Sequence, residues 1–336
     1  MELIRGQHNL RPRHRGCVAT IGNFDGVHLG HQAILDQLAQ QAIRLGLPRL
    51  VITFEPQPQE FFAGPAAPPA RLMRLREKLL ALDELSIERT LCLEFDHRLA
   101  AMPAPTFIEQ LLVNQLGIRY LVVGDDFRFG HRRAGDFAML VEAGQHHGFE
   151  VADNHSYILG GERVSSTRVR QALGQGDLEL AARLLGRPYD MCGRVAHGDQ
   201  RGRTIGFPTA NIHLHRRVTP VYGVYAVLMS GPGLHSWPGI ANVGRRPTVQ
   251  GVREQLEVHL LDYQGDLYGR HVKVDFLHYL RPEQRFASLA ALQQQIQQDE
   301  QVARTYFTAR GFQQSSRPSS PPTSLSQGEG SFCTGF

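Results

Sequence analysis

Cys17–Leu35 reads CVATIGNFDGVHLGHQAIL. An apolar, β-type run from Cys17 to Ile21 enters the glycine-bounded turn Gly22-Asn23-Phe24-Asp25-Gly26, and a helical pattern follows. A buried strand feeding a helix through a tight turn is the opening unit of an α/β fold. His28 and His31 flank Gly30 at the helix entry, three residues apart and so on one face. The free N–H groups of a helix N-terminus favour an anion there, and Gly30 and Gly22 carry no side chain to keep a nucleotide phosphate from the backbone. Taken alone, H-x-G-H also fits two ordinary histidines of a first helical turn; the preceding strand and turn are what favour the phosphate site.

Outward from this unit the pattern repeats. Leu50–Phe54, Thr90–Leu93 and Tyr120–Val123 are short apolar runs, while His31–Leu45, Leu72–Leu85, Pro105–Leu116 and Asp136–His146 carry helical spacing. The alternation predicts a parallel sheet with helices on both faces and ligands at the carboxyl ends of its strands. After a helical run from Asp177 to Leu185, GRPYDMCGRV (186–195) breaks the periodicity, and a boundary is expected near Gly186. Beyond it, β-type segments Gly223–Met229, Leu256–Leu261 and His271–Leu280 are joined by Gly, Pro and Asn, predicting a small antiparallel barrel closed by a terminal helix, about Leu289–Arg310. The last residues, SSRPSSPPTSLSQGEGSFCTGF, are rich in Ser, Pro and Gly and poor in core-forming side chains, and are expected to be disordered.

Composition narrows the functional classes. A net charge of +4 and a pI near 9.0 suit anionic ligands, nucleotide or nucleic acid. Lys78 and Lys273 are the only lysines, a rarity that base composition of the coding DNA explains; it also leaves no G-x-x-x-x-G-K-[ST] phosphate loop to be drawn. The 4 cysteines stand singly, without a C-x-x-C zinc pattern. No apolar leader follows the N-terminal Met1 and no apolar run reaches membrane-spanning length, so a cytoplasmic protein without membrane partners is expected.

Two further constellations carry chemistry. In VSSTRVRQAL (164–173), Ser165, Ser166 or Thr167 can cap a helix whose first turn would direct Arg170 toward an anion. In GRVAHGDQRGRTIGFPTANI (193–212), Gly193, Gly198, Gly202 and Gly206 offer backbone N–H groups to phosphates, and Thr209 and Asn211 offer oxygens to a hard cation such as Mg²⁺. Such glycines also serve plain turns between barrel strands. Glu257, alternating with His259 on one strand face, is a candidate base for an acceptor hydroxyl.

GNFDGVHLGH, TFEPQPQEFF, VGDDFRFG and VSSTRVR, in this order, resemble the FMN adenylyltransferase module of prokaryotic bifunctional FAD synthetases; GRTIGFPTAN, GVYAV, ANVGRRPTV, LEVHLLD and YGR resemble their riboflavin kinase module. The resemblance spans about Met1–Gly311. It implies a Rossmann-like nucleotidylyltransferase domain (1–185), a small antiparallel β-barrel kinase domain with a terminal helix (186–311), and a tail (312–336). It also implies ATP, riboflavin and FMN as substrates and Mg²⁺ as cofactor. His28 and His31 would stabilise the reacting phosphates and Arg170 the leaving pyrophosphate; Gly22, Gly30, Ser165, Ser166 and Thr167 would bind ATP. Phe54, Pro56, Asp126 and Phe127 would line the flavin, with Asp126 near the metal. In the barrel, Gly193, Gly202 and Gly206 would hold ATP, Thr209 and Asn211 Mg·ATP, Glu257 would be the general base, and Arg281 would help enclose the flavin. Gln57 stands where many members carry histidine, and it cannot titrate near neutral pH. The partners are small molecules, and a homo-oligomer is compatible with the sequence. The alternative, a basic RNA-binding α/β-plus-barrel protein, requires clustered cations with exposed aromatics, which the sequence does not display.

Overall fold

The computed structural model describes residues 1–63, 68–196, 206–216, 218–248 and 251–312. The expectations for Gly198, for Gly202 and for the tail from residue 313 lie outside the described residues. Two compact units divide the chain: Met1–Val169 with Leu184–Gly186, and Arg170–Arg183 with the chain from Arg187.

In the first unit, β1 (Glu2–Arg5), β2 (Val18–Ile21), β3 (Arg49–Glu55), β4 (Arg89–Glu94), β5 (Tyr120–Gly124) and β6 (Glu150–Asn154) form a sheet in the order β1-β4-β3-β2-β5-β6. Every neighbouring pair is parallel. Alternation along the strands sorts the core into two faces. Ala19, Ile21, Leu50, Ile52, Leu121 and Val123 pack on one side, and Val18, Val51, Tyr120 and Val122 on the other. The second face is covered by Leu35, Leu38 and Ala42 of α1 (Leu29–Leu45). The short helix α2 (Pro58–Ala63), then α3 (Leu75–Glu84) and α4 (His97–Ala100) follow. Where one helix is expected over Pro105–Leu116, a turn of α-helix, α5 (Ala104–Thr106), runs into a π-helical stretch, Phe107–Gln115, that keeps Phe107, Ile108, Leu111 and Leu112 on the first face. α6 (Phe137–His147) completes the layer. Strand order reverses between β2 and β5, so the crevice that receives ligands in such sheets lies at the carboxyl end of β2, where Gly22–His28 turns into α1.

The hairpin β7 (Ile158–Leu159) and β8 (Glu162–Arg163) precedes α7 (Ser166–Gly174) and α8 (Leu178–Leu185). In the second unit, β9 (Tyr189–Ala196), β10 (Ala210–His213), β11 (Gly223–Gly231), β12 (Leu234–Thr248), β13 (Gly251–Leu260) and β14 (His271–Arg281) close a barrel in the order β10-β13-β12-β11-β14-β9. All its pairings are antiparallel. Two segments differ from expectation. GRPYDMCGRV is not a break: β9 starts at Tyr189, and a Cβ on Gly193 would strike Ile212 and lie 2.9 Å from the His213 carbonyl, so this glycine permits close approach of β10. Likewise Pro238, Gly239 and Asn242, which read as turn residues, lie inside β12, with Gly239 pressed against the His259 carbonyl of β13. Val224, Ala226 and Leu228 of β11 pack with Ala303 and Phe307 of α9 (Leu289–Ala309), while the alternate residues Tyr225, Val227 and Met229 are also buried. Arg281 holds α9 through three hydrogen bonds of 2.7–3.0 Å to the Asp299 carboxylate.

Candidate functional site

His28 is the N-cap of α1, and its Nδ1 accepts from the His31 backbone N–H at 3.3 Å. An accepting Nδ1 leaves the proton of the neutral ring on Nε2, so His28 presents an N–H donor on its other edge. The two imidazoles are stacked, with centroids 3.7 Å apart and planes 15° from parallel. Gly30 makes this possible, because a Cβ there would lie 3.2 Å from the His28 ring and 3.3 Å from the Val164 carbonyl. Burial, together with the charges of His28 and Lys78, holds the His31 imidazole well below its ordinary pKa, so it is neutral at physiological pH. His31 Nδ1 is buried and has no hydrogen-bond partner among the described residues.

The turn beneath the histidines is strained and gripped from several directions. Phe24 and Val27 adopt positive φ of 47° and 43°, conformations that L-residues keep only when their surroundings impose them. The Asp25 carboxylate accepts from the Leu72 and Met73 backbone N–H groups at 3.1 and 3.0 Å. Ser166 Oγ donates to the Asp25 carbonyl at 2.9 Å, which brings the VSST segment to the NFDG turn. Thr53 Oγ1 donates to the Asn23 carbonyl at 3.4 Å and accepts from Lys78 Nζ at 3.1 Å. Phe24 is buried, with its ring 4.9 Å from that of His31.

The remaining residues of this half are placed as follows. Ser165 Oγ caps α7 by accepting from Arg168 N–H at 3.2 Å, while Thr167 is exposed. Arg170 lies one turn further along α7, where the second unit begins. Phe54 stacks edge-on with Phe95 at 5.8 Å, and Pro56 follows a cis peptide bond. Arg71 bridges Glu55, at 2.8 and 2.9 Å, and Glu60, which ties down the loop bearing Pro56 and Gln57. Gln57 is buried with its Nε2 unpartnered among the described residues. Asp126 is hydrogen-bonded by the Arg163 guanidinium at 3.0 and 3.1 Å, which keeps its carboxyl below the usual range. Phe127 lies parallel to Phe129 at 5.5 Å. Sequence reasoning missed Thr53, Arg71 and Lys78.

In the barrel, Asn211 of β10 is paired with Glu257 of β13, and cross-strand partners share a face. Gln255 Nε2 donates to both Asn211 Oδ1 and Glu257 Oε1 at 2.7 Å, locking the two oxygens beside each other. His259, on the same face, bonds through Nδ1 to the Pro208 carbonyl at 2.9 Å and holds the PTAN segment to β13. A cleft of about 340 Å³ is lined by Thr209, Asn211, Val258, Leu260, Tyr263 and Asp266, and Glu257 is not among its walls. Gly206 has φ +85°, a conformation that favours glycine. Gly193 packs β9 on β10, and Arg281 is engaged with Asp299. Among the described residues no group of three His, Cys, Asp or Glu side chains is arranged to hold a metal. A Thr hydroxyl and an Asn carbonyl on a cleft wall do fit Mg²⁺, which takes one or two protein oxygens and completes its shell from phosphates and water.

A strand-turn-helix with stacked histidines and a barrel with an Asn/Gln/Glu ladder define two nucleotide-handling modules. Residues 10–168 match the FAD synthetase family and residues 185–307 the riboflavin kinase family. The chain belongs to the bifunctional riboflavin kinase/FMN adenylyltransferases. It is 55% identical over 308 residues to the Escherichia coli K12 protein of that name, covering 91% of this chain and 98% of the relative. It is 54% identical to the Pseudomonas fluorescens protein, covering 90% and 97%. A crystal structure described as a macrolide-efflux protein from Streptococcus pneumoniae superimposes with a TM-score of 0.78 at 30% identity, covering 90% of this chain and 99% of that one. Among the described residues no helix is long and apolar enough to cross a membrane.

Proposed function

We propose that this chain phosphorylates riboflavin to FMN with ATP and then transfers AMP from a second ATP to FMN, giving FAD and pyrophosphate. The observation that carries the reading is the coexistence, in one chain, of the stacked His28–His31 pair at the carboxyl end of β2 and the Asn211–Gln255–Glu257 ladder in the barrel. In the first reaction the riboflavin 5′-hydroxyl attacks the γ-phosphorus of ATP and the bond to the β-phosphate oxygen breaks. Glu257 takes the hydroxyl proton, Gly206 and Gly202 offer backbone to the phosphates, and Thr209 and Asn211 hold Mg²⁺, which supplies charge neutralisation at the phosphates. In the second, a phosphate oxygen of FMN attacks the α-phosphorus of ATP and pyrophosphate leaves. No covalent enzyme intermediate is required, so positioning and charge stabilisation carry the rate. His28 offers its Nε2–H and neutral His31 its ring edge to the phosphates at the helix N-terminus, Ser165, Ser166 and Thr167 bind ATP, and Arg170 takes the pyrophosphate. Phe54, Pro56 and Phe127 form the flavin side, with Asp126 near the metal once released from Arg163.

Residues 1–185 carry the adenylyltransferase and 186–311 the kinase, acting in the cytoplasm on small molecules. The purified full chain, given riboflavin, ATP and Mg²⁺ and followed by flavin chromatography, should form FMN and then FAD. FMN alone would remove the assignment of the first unit, and no conversion would remove both.

A further inference from the structure

Lys78 is fully buried in a chain that otherwise uses arginine almost throughout. It projects from α3, and its neighbours Ala81 and Leu82 on the same helical face are core residues. An ammonium has three donors and is costly to remove from water, so a fully buried one persists only where carboxylates and acceptors face it. Here Nζ donates to Thr53 Oγ1 at 3.1 Å, and Thr53 donates on to the Asn23 carbonyl, the first peptide of the NFDG turn. Burial lowers the Lys78 pKa and Arg71 acts with it, while Asp25, Glu55 and Cys92 support the ammonium; burial is likewise the main influence on His31, ahead of His28 and Lys78. Asp25 sits in the same turn, with its carboxylate on the Leu72 and Met73 amides that lead into α3. The cation is therefore fixed to the turn both by a hydrogen-bond chain and by charge, while the turn places Phe24 against the His31 ring.

We propose that Lys78 is a positioning residue for adenylyl transfer: its buried side chain, bonded through Thr53 to the Asn23 carbonyl, holds the Asn23–Gly26 turn that sets Phe24 against the His31 ring. It touches no substrate. It acts on the reaction by fixing the geometry of the stacked rings. The proposal rests on the assignment of FMN adenylylation to the first unit.

The test uses the full chain and compares wild type with Lys78→Met and with Thr53→Val, which keeps the β-branched shape and removes only the hydroxyl. FMN-to-FAD conversion is measured for kcat and KM, with riboflavin phosphorylation as internal control. For Lys78→Met we expect kcat for FAD to fall about 100-fold, the scale of a misplaced catalytic group. KM for ATP and FMN should stay within about three-fold, the pattern of a loss felt only in the transition state. FMN production should not change. Thr53→Val cuts the same hydrogen-bond chain and should lower kcat the same way by less. Unchanged kcat in both variants, or a loss carried by KM, overturns the proposal. If Lys78→Met loses the fold of its unit, Thr53→Val decides alone on the same criterion. Wild type that forms FMN but no FAD rejects the functional assignment itself, an outcome distinct from a variant without effect.

Discussion

Replacing Glu257 by glutamine tests the proton-transfer role proposed for it in the barrel. Glutamine has the same shape and keeps a carbonyl oxygen at the position of Oε1, so it can still accept from Gln255 Nε2, the bond of 2.7 Å that aligns this residue with Asn211. The ladder between β10 and β13 should therefore survive, with a stability change under about 1 kcal/mol, the net worth of one neutral hydrogen bond. What the amide cannot do is take a proton from the ribityl hydroxyl. General-base catalysis is worth about 10²–10⁴ in rate, or about 3–5 kcal/mol at 1.36 kcal/mol per decade. The expected result is thus a fall in kcat for riboflavin phosphorylation of at least about 100-fold, with the melting temperature and the FMN-to-FAD rate of the same preparation unchanged. FMN production within about three-fold of wild type would refute the argument, since a loss that small is below the range for a displaced base. A parallel fall in both activities would point instead to a folding defect.

Three other outcomes follow from the geometry. Changing both His28 and His31 to alanine should abolish FAD formation from supplied FMN and leave riboflavin phosphorylation intact; equal loss of both activities would contradict the two-site arrangement. Asp299→Ala leaves the Arg281 guanidinium, 15% exposed, without its carboxylate. Breaking such a buried pair costs about 3–5 kcal/mol, which calorimetry should read as a drop of roughly 6–20 °C in the transition of the second unit; an unchanged transition with a raised KM for riboflavin would favour a flavin-enclosing role for Arg281. His31 titrates in the folded chain below its unfolded value near 6.5, so the unfolded state binds the proton first and stability is lost as pH falls below about 6.5, by up to about 1.4 kcal/mol per pH unit until the folded pKa is reached. Denaturant unfolding of wild type and His31→Gln between about pH 5 and 7.5 should show that loss in the former and a shallower one in the latter.

The central strands were legible because β2, β3 and β5 are buried on both faces, and the chain writes such strands as unbroken apolar runs. β6 was not, since Glu150-Val151-Ala152-Asp153-Asn154 lies at the sheet edge and is half exposed. β9 and β12 were hidden for a different reason. Gly193 and Gly239 serve neither as turns nor as hinges but as gaps into which Ile212 and the His213 and His259 carbonyls fit. A glycine whose purpose is set by a neighbouring strand looks, along its own strand, like a breaker. The histidine pair was readable because its geometry is local, three residues on one helix end. The bond from Ser166 to the Asp25 carbonyl joins residues 141 apart and follows only from family resemblance, since nothing in either segment names the other.

Lys78 was missed by the same logic that explained the scarcity of lysine as a bias of the coding sequence. A bias of that kind acts on exposed cations, where arginine and lysine are interchangeable at little cost, and it leaves lysine where a guanidinium does not fit. Lys78 meets that condition: it is fully buried, carries a single compact charge to Thr53, and lies among Asp25, Glu55 and Arg71, where a planar five-donor group would need more acceptors and more volume. Lys273, on the barrel, is 45% exposed at its side chain and paired with Asp275, so retention alone does not mark a site. The readable signal is the conjunction, a rare cation on the apolar face of a helix, three and four residues before Ala81 and Leu82. In a chain so rich in arginine, that conjunction points to a charge held where water cannot reach it, bonded through Thr53 to the turn that leads into the His28–His31 helix end.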